Sequence, residues 1–546
     1  MKKAVFSFIL FLITSSLFPQ QSAQSYKFRV YLKDKGITEY KTLEPEKFLS
    51  KQAIDRKNRQ GVTVNESDLP ISADYFNLIS LSGGKVVTHS KWFKTIVVQL
   101  SDSNQINNIS DLSFVDSVKY VWKGPETREE IPLRPRLVSQ DYSQKDTSDI
   151  MGFSKSHFDI HDATILYDYS FLGKGINIAV IDAGFTNVDV IPYFASSNIV
   201  EYKSFVPEGK LLVDSDHGTR VFSTISSIVP GKIMGSAPSA NFYLFQSEEV
   251  ASEFPVEEDY WVRAVEYSDS IGVDVINSSL GYNNFDDSQL NYTHKQLDGR
   301  SSLMSIAADL AYDKGMIIVT SAGNEGNKKW RKISVPGDAK NALTVGSVGT
   351  DSIISRFSSV GLTADNRIKP DIVSVGQRTI TISHSGQITP AFGTSFSSPF
   401  VAGIIASLWS INPKLDRGEL LKVIRESSDR YHNPDSIYGN GIPNVKIAME
   451  RVLSSLHLND NGYVDDLLSI SMVDKVGLNI TLKDDKFNPS TYTLSIIDEN
   501  LKLLSQQVFS DNVLNIILGD DLRIIENSIY LILNAPHIQR TIKLKM

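Results

Sequence analysis

The sequence predicts an α/β fold, a central domain with a mostly parallel sheet covered by helices, preceded by a small α+β module and followed by a small all-β one. Three observations carry this. Short apolar runs of buried-strand type alternate with helical patterns over residues 149–455. A charged stretch holding Pro125, Pro132 and Pro135 separates that region from what precedes it, and after about residue 460 the pattern changes to period two with no helices between. A chain of 546 residues is also too long for one ordinary core and suggests two or three modules.

Taken in order, residues 1–23 open with Lys2 and Lys3, continue as an apolar run from Ala4 to Phe18 broken by Ser7, Thr14, Ser15 and Ser16, and end in small residues around Ser22 and Ala23. This pattern reads as a cleaved secretory signal, too short for a membrane span. An N-terminal anchor is the alternative, and the small-residue cleavage context argues against it. Over residues 24–123, Tyr26–Leu32 alternates as a strand, Glu44–Gln60 reads as a charged helix closing at Gly61, and Val86–Leu100 as further strands around Trp92 and Phe93. Gly124–Asp146 has no sustained period and is the expected linker, exposed and open to proteolysis; the linker is assigned residues 124–148.

The central strands are expected at Ile176–Asp182, Asn241–Gln246, Val273–Leu280, Met316–Ala322 and Ala342–Val348. Between two of them Leu303, Ile306, Ala307, Leu310 and Ala311 follow the spacing of an amphipathic helix. In such sheets sites form at the carboxyl ends of the strands. The tail over residues 460–546 reads as YTLSIID, VLNIILG, IYLILN and TIKLKM, and the turn-like Asn459–Asp466 as a linker whose spacing does not match a calcium loop.

Composition narrows the chemistry. Cysteine is absent, which removes thiol nucleophiles, thiolate metal sites and disulfides. Lys plus Arg is 55 against 63 Asp plus Glu, a formal charge of −8 without long single-sign runs, so no nucleic-acid partner is expected. The reacting groups must be oxygen or imidazole.

Five segments carry the candidate groups. Asp182 ends a buried strand before Ala183 and Gly184, and His217 stands where Ser215 and Asp216 can cap a helix. Phe392–Trp409 is sharper: Ser395 follows Gly393 and Thr394 and opens a helix apolar nearly all round, with Pro399 fitting its first turn. A serine at the positive end of a buried helix suits a nucleophile, because free N–H groups favour a developing oxyanion. In Ser321–Gly326, Asn324 stands among small residues with an amide able to reach a carbonyl oxygen, and Asn277–Gly281 ends a strand whose backbone can pair with an extended peptide.

In this order IAVIDAGF, DHGT, SSLG, SAGN and GTSFSSP resemble the five signature segments of the subtilisin-like serine proteases, over about Asp149 to Leu453. The resemblance implies a subtilisin-like three-layer domain and a serine endopeptidase working through an acyl-enzyme. It assigns Asp182, His217 and Ser395 as the catalytic triad, with Asn324 and the Ser395 N–H holding the oxyanion. It implies that Ser279, Leu280, Gly281, Ser321, Ala322 and Gly323 line the peptide groove and first specificity pocket. Phe222 departs from the small residue usual at its position.

YKFRVYLKDKG, FLSKQAIDRKNRQGV, ESDLP and SKWF resemble the propeptide of secreted subtilases of Bacteroidetes-type bacteria, implying a zymogen whose own leader is an intramolecular inhibitor. The tail, with YTLSIIDENLKLL and TIKLKM, is similar to a type IX secretion sorting domain, in a degenerate form with Ser528 for the usual Gly and only FNPS for its start; it would engage the secretion machinery. Expected partners are protein or peptide substrates, and the expected address is outside the cell, released or at its surface. No cofactor or metal ligand set follows from the sequence; relatives often carry structural calcium, but no loop here has convincing ligand spacing. The alternative of a different class is a catalytically silent subtilase-fold protein that binds surfaces, since a fold alone does not guarantee function.

Overall fold

The structure is a computed structural model. It describes residues 24–125, 134–135, 137, 149–459, 462–464, 468–473, 477–482, 492–509, 513–517, 528–535 and 539–545. The expected signal and most of the expected linker lie outside the described residues.

The leader forms a four-stranded antiparallel sheet from β1 (Gln24–Leu32), β2 (Lys85–Ser90), β3 (Thr95–Leu100) and β4 (Val115–Pro125), in the order β2-β3-β1-β4. Its helices are α1 (Lys51–Arg59), α2 (Ala73–Leu81) and α3 (Ile106–Ser110). Strand alternation divides β1 cleanly. Phe28, Val30 and Leu32 enter the leader's own core, while Lys27 and Arg29 point the other way and are buried all the same. The single helix expected over Glu44–Gln60 is shorter: a 3-10 turn covers Pro45–Lys47, and α1 starts only after Ser50, whose side chain accepts the Ala53 N–H. Gly124 and Pro125, expected in the linker, belong to β4 and pair with Ser25 and Gln24.

The central domain has a seven-stranded parallel sheet. Its strands are β5 (Asn177–Asp182), β6 (Asn198–Ser204), β9 (Asn241–Gln246), β10 (Val275–Ser278), β11 (Ile317–Ser321), β12 (Leu343–Val348) and β13 (Ile372–Val375), in the order β13-β12-β11-β10-β5-β9-β6. Two short ribbons accompany it, β7 (Ile228–Val229) with β8 (Ile233–Met234) and β14 (Gln377–Ile382) with β15 (Ile388–Phe392). Its helices are α4 (Lys155–Asp159), α5 (Ile165–Asp168), α6 (His217–Ser226), α7 (Val256–Ile271), α8 (Leu303–Asp313), α9 (Thr394–Ile411), α10 (Arg417–Glu426) and α11 (Val445–Ser454).

Sheet faces explain why the strands read as continuous apolar runs. Along β5, Ile178 and Val180 join the core that holds α6 and α9, whereas Ala179 and Ile181 join the core that holds α7 and α8. Every residue of α9 is buried, so this helix, long and apolar enough to cross a membrane, is the domain's central core element. Phe222 is fully buried on α6, its ring 5.2 Å from Phe194 and 4.9 Å from Phe242, and it fills space without crowding the helix.

The tail forms two sheets. One contains β16 (Leu458–Asn459), β20 (Tyr492–Ile497), β21 (Leu503–Phe509), β23 (Ser528–Asn534) and β24 (Gln539–Lys545); the other contains β17 (Gly462–Val464), β18 (Leu468–Val473), β19 (Gly477–Leu482) and β22 (Val513–Ile517). Gly462–Val464, expected within a linker, instead pairs with Ser469–Ser471. The tail is seated on the central domain: Tyr169 Oη donates to the Leu501 carbonyl at 2.6 Å, and Leu501, Tyr530 and Ile532 enter the α6–α9 core.

The leader docks on α7 through buried charge. Arg29 makes two bonds of 2.7 Å to the Asp259 carboxylate. Glu266 accepts the Lys91 and Trp92 N–H groups at 3.0 and 2.9 Å and a bond from Ser90 Oγ. Asp269 binds Arg56 and, at 2.8 Å, Lys57. A fully buried carboxylate persists only when opposed by such donors.

Candidate active site

The carboxyl ends of β5, β10 and β11 and the amino end of α9 converge. Asp182, the last residue of β5, is fully buried, and its Oδ1 accepts the Ala183 N–H at 2.8 Å and His217 Nδ1–H at 2.7 Å. Its Oδ2 has no donor among the described residues.

His217 opens α6. Its N–H goes to Ser215 Oγ at 3.2 Å, whereas Asp216, expected to share the capping, turns its carboxylate to His384 Nδ1 at 2.8 Å and Arg220 Nε at 3.1 Å. The helix start is pressed against the β5 exit: Gly218 N–H bonds the Gly184 carbonyl at 3.0 Å, and a Cβ on Gly218 would lie 2.4 Å from that oxygen. Only glycine permits this approach. Burial disfavours the charged imidazole, but the Asp182 carboxylate outweighs it, with Glu248 and Asp216 adding to the effect, and the His217 pKa rises to about 9.

Ser395 is the second residue of α9, after Gly393 at φ 152°. Pro399 is therefore the sixth residue of the helix, one turn deeper than expected. Lacking an N–H, it leaves the Ser395 carbonyl without its helical partner. Ser279 Oγ supplies the bond at 2.9 Å. Ser395 Oγ donates to the Ser279 carbonyl at 3.3 Å and makes no hydrogen bond to His217; the next residue, Phe396, brings its ring within 5.8 Å of the His217 ring.

Asn324 lies beside them in a defined orientation. Its Oδ1 accepts both the Thr394 N–H at 2.9 Å and Thr394 Oγ1–H at 3.1 Å, which turns the amide nitrogen toward the Gly393–Ser395 corner. Leu280 and Gly281 lie beyond the last rungs of β10, Ser278 with Thr320 and Ser278 with Ile181, and before Tyr282, which pairs with Val335. Their backbone is thus open to an added strand. Ser321 closes β11; Ala322 is fully buried with its N–H on Val345 and its carbonyl on Ser334, and Gly323, held by Thr394 Oγ1 at 3.2 Å, reaches the surface beside Asn324. The structure thus brings Asp182 and His217 together and gathers Ser395, Asn324, Gly323 and Ser279 around the start of α9.

Sequence reading missed Thr394, which aims Asn324, and Glu248, which acts on His217 from the residue pair after β9. The place of Glu248 at a strand's carboxyl end was the available signal. Among the described residues no group of three or more His, Asp or Glu side chains could hold a metal ion.

A buried carboxylate, an imidazole bonded to it, a hydroxyl at a helix N-terminus and a fixed amide are what nucleophilic acyl transfer requires. Residues 173–441 match the Subtilase family, and residues 27–133 match the Peptidase S8 propeptide domain of Bacteroidota. The chain is a subtilisin-like serine protease made with a propeptide. Subtilisin NAT of Bacillus subtilis subsp. natto is 25% identical over 392 residues, covering 69% of this chain and 94% of that one. Subtilisin DY of Bacillus licheniformis is 27% identical over 288 residues, covering 51% and 93%. The solved structure of the epidermin leader peptide processing serine protease of Staphylococcus aureus shares the fold, with a TM-score of 0.53 at 18% identity over 78% of this subtilase and 98% of that chain. The match to the propeptide family corresponds to the four-stranded module on α7, so the subtilase is seen here with its leader in place.

Proposed function

We propose that this subtilase is a secreted endopeptidase whose catalytic residues are Asp182, His217 and Ser395. The observation that carries the reading is the 2.7 Å bond between Asp182 Oδ1 and His217 Nδ1 beside a hydroxyl at the α9 N-terminus. Ser395 Oγ attacks the scissile carbonyl carbon while its proton passes to His217 Nε2. The Ser395 N–H and the Asn324 amide hold the oxyanion. Collapse expels the amine, which takes the proton from His217; water then repeats the sequence on the acyl-enzyme. Asp182 holds the imidazole in the tautomer that offers Nε2 as base.

In this reading residues 1–23 are the export signal, 24–123 an inhibitory leader, 149–455 the peptidase domain and 460–546 a sorting module of the type IX kind, with maturation in the segment that joins the leader to the peptidase domain. Leu280 and Gly281 pair with the substrate backbone and Ser321–Gly323 frame the first pocket.

Purified, matured protein should hydrolyse casein and be labelled at Ser395 by a fluorophosphonate. Ser395→Ala should lower kcat by roughly 10⁶-fold. Undiminished hydrolysis by that variant, or no labelling, overturns the assignment and favours a silent binding protein.

A further inference from the structure

Glu248, which acts on His217, belongs to a cluster with two further glutamates, Glu253 and Glu257. Glu257, on the first turn of α7, is 1% exposed; neither of its carboxylate oxygens is hydrogen-bonded among the described residues, and the nearby Tyr282 hydroxyl only partly offsets the cost of burial. Glu248 and Glu253 stand over it, both half-buried, and each is close enough to raise the Glu257 pKa. Tyr282 Oη donates to Glu248 Oε1 at 3.1 Å. Burial and mutual repulsion push Glu248 up to about 8 and Glu253, with Asp286 beside it, up to about 7. Unpaired carboxylates stacked in this way are costly unless something positive completes them.

Position decides what. Glu248 is tied to both the dyad and the open strand: it follows Ser247, whose N–H bonds the Asp182 carbonyl at 3.1 Å, and it accepts from Tyr282, which follows Gly281 directly. In the sheet order β11-β10-β5-β9 it is on the opposite side of β10 from Ser321–Gly323. A strand laid along Leu280–Gly281 sends alternate side chains to opposite sides. The side chain entering at Ser321–Gly323 is therefore followed by one aimed at the glutamates. Chain direction comes from the leader. It sits on α7, with Trp122 Nε1 bonded to Ser252 Oγ at 3.2 Å, while Arg134 Nε and the Pro135 carbonyl bond Asn187 at 2.6 and 2.9 Å beyond Asp182. A polypeptide crossing in that direction has its N-terminal residues over the glutamates. The leader already sets one ammonium at the rim, Lys27 Nζ, 3.6 Å from Glu249.

We infer that Glu248, Glu253 and Glu257 form a subsite for a lysine or arginine side chain at the second or fourth residue before the scissile bond. Side chains of that length bring a cation in from outside, and their charge meets three carboxylates that have no ion-pair partner among the described residues. The inference rests on the endopeptidase reading above and adds its substrate class.

The test is a peptide series with lysine, norleucine or glutamate at each of the four positions before one scissile bond, cleaved by matured wild-type enzyme. Lysine should exceed norleucine by at least roughly 10-fold in kcat/KM at the second or fourth position, with glutamate poorest. Glu257→Gln, and at the rim Glu248→Gln and Glu253→Gln, should shrink the lysine-to-norleucine ratio. Equal cleavage of the three peptides, a preference confined to the first or third position, or a ratio untouched in folded variants overturns the subsite. The wild-type series decides even if a variant does not fold. Failure of all peptides and of casein would instead count against the endopeptidase reading itself.

Discussion

The Ser279 hydroxyl donates to the Ser395 carbonyl at 2.9 Å, in the place of the amide hydrogen that Pro399 lacks. Ser279, just past the end of β10, thereby fixes the start of the helix that presents Ser395. The proline frees the carbonyl, and the serine ties it to β10 instead of to its own helix. The helix entry is thus positioned from the sheet.

Ser279→Ala should leave that buried carbonyl unsatisfied and cost about 1–3 kcal/mol of stability. Pro399→Ala restores a helical donor, so the same change should cost much less in its presence. A double-mutant cycle by chemical denaturation, run in a Ser395→Ala background to prevent self-digestion, measures the coupling. Additive effects would mean that the two residues do not share the carbonyl.

Asn324→Ala should lower kcat by roughly 10² to 10³ with little change in KM, because in the proposed mechanism its amide acts on the oxyanion and not on the bound substrate. Thr394→Val keeps the shape but removes the 3.1 Å bond from Oγ1, leaving the Thr394 N–H to hold the amide alone. It should lie between wild type and Asn324→Ala in kcat, and steady-state kinetics on one peptide ranks the three.

His217 should titrate well above an ordinary histidine, near the value of about 9 to which Asp182 raises it against the effect of burial. Because this lies above the unfolded value of about 6.5, the stability the dyad contributes is complete below pH 6.5 and lost as pH rises through about 9. The neutral imidazole, which is the base in the proposed mechanism, forms in the same window. Nitrogen NMR of the imidazole in the Ser395→Ala precursor measures it, and Asp182→Asn should bring it down by at least one pH unit. A wild-type midpoint at or below 6.5 would contradict this.

The central strands were legible because a sheet covered on both faces writes apolar residues at every position, as along Ile178–Ile181. Helix α7 was not. One side meets the sheet through Trp261 and Val265, while Glu257, Asp259, Glu266 and Asp269 on other positions are buried by the leader or by one another, so no clean stripe remains. The candidate site residues were legible as types at strand and helix ends. Thr394 and the depth of Pro399 were not, because where a helix begins by a residue or two is decided by partners far away in sequence, here Asn324 and Ser279.

Asp269→Ala should loosen the leader. This carboxylate is fully buried, and although burial opposes its charge, Arg56 and Lys57 hold its pKa at about 2. Its contribution is therefore present above the unfolded value near 3.9 and lost as pH falls toward 2. Removing it leaves the buried Arg56 with no carboxylate and Lys57 with Asp68 alone, at 3.4 Å, and a broken buried pair costs about 3–5 kcal/mol. Arg29 with Asp259 and the Glu266 bonds remain, so the leader should still dock, more weakly. Hydrogen exchange on the Ser395→Ala precursor should show faster exchange in β1 and α1 for the variant, with the central sheet unchanged. Equal protection in both proteins would mean that Asp269 does not hold the leader.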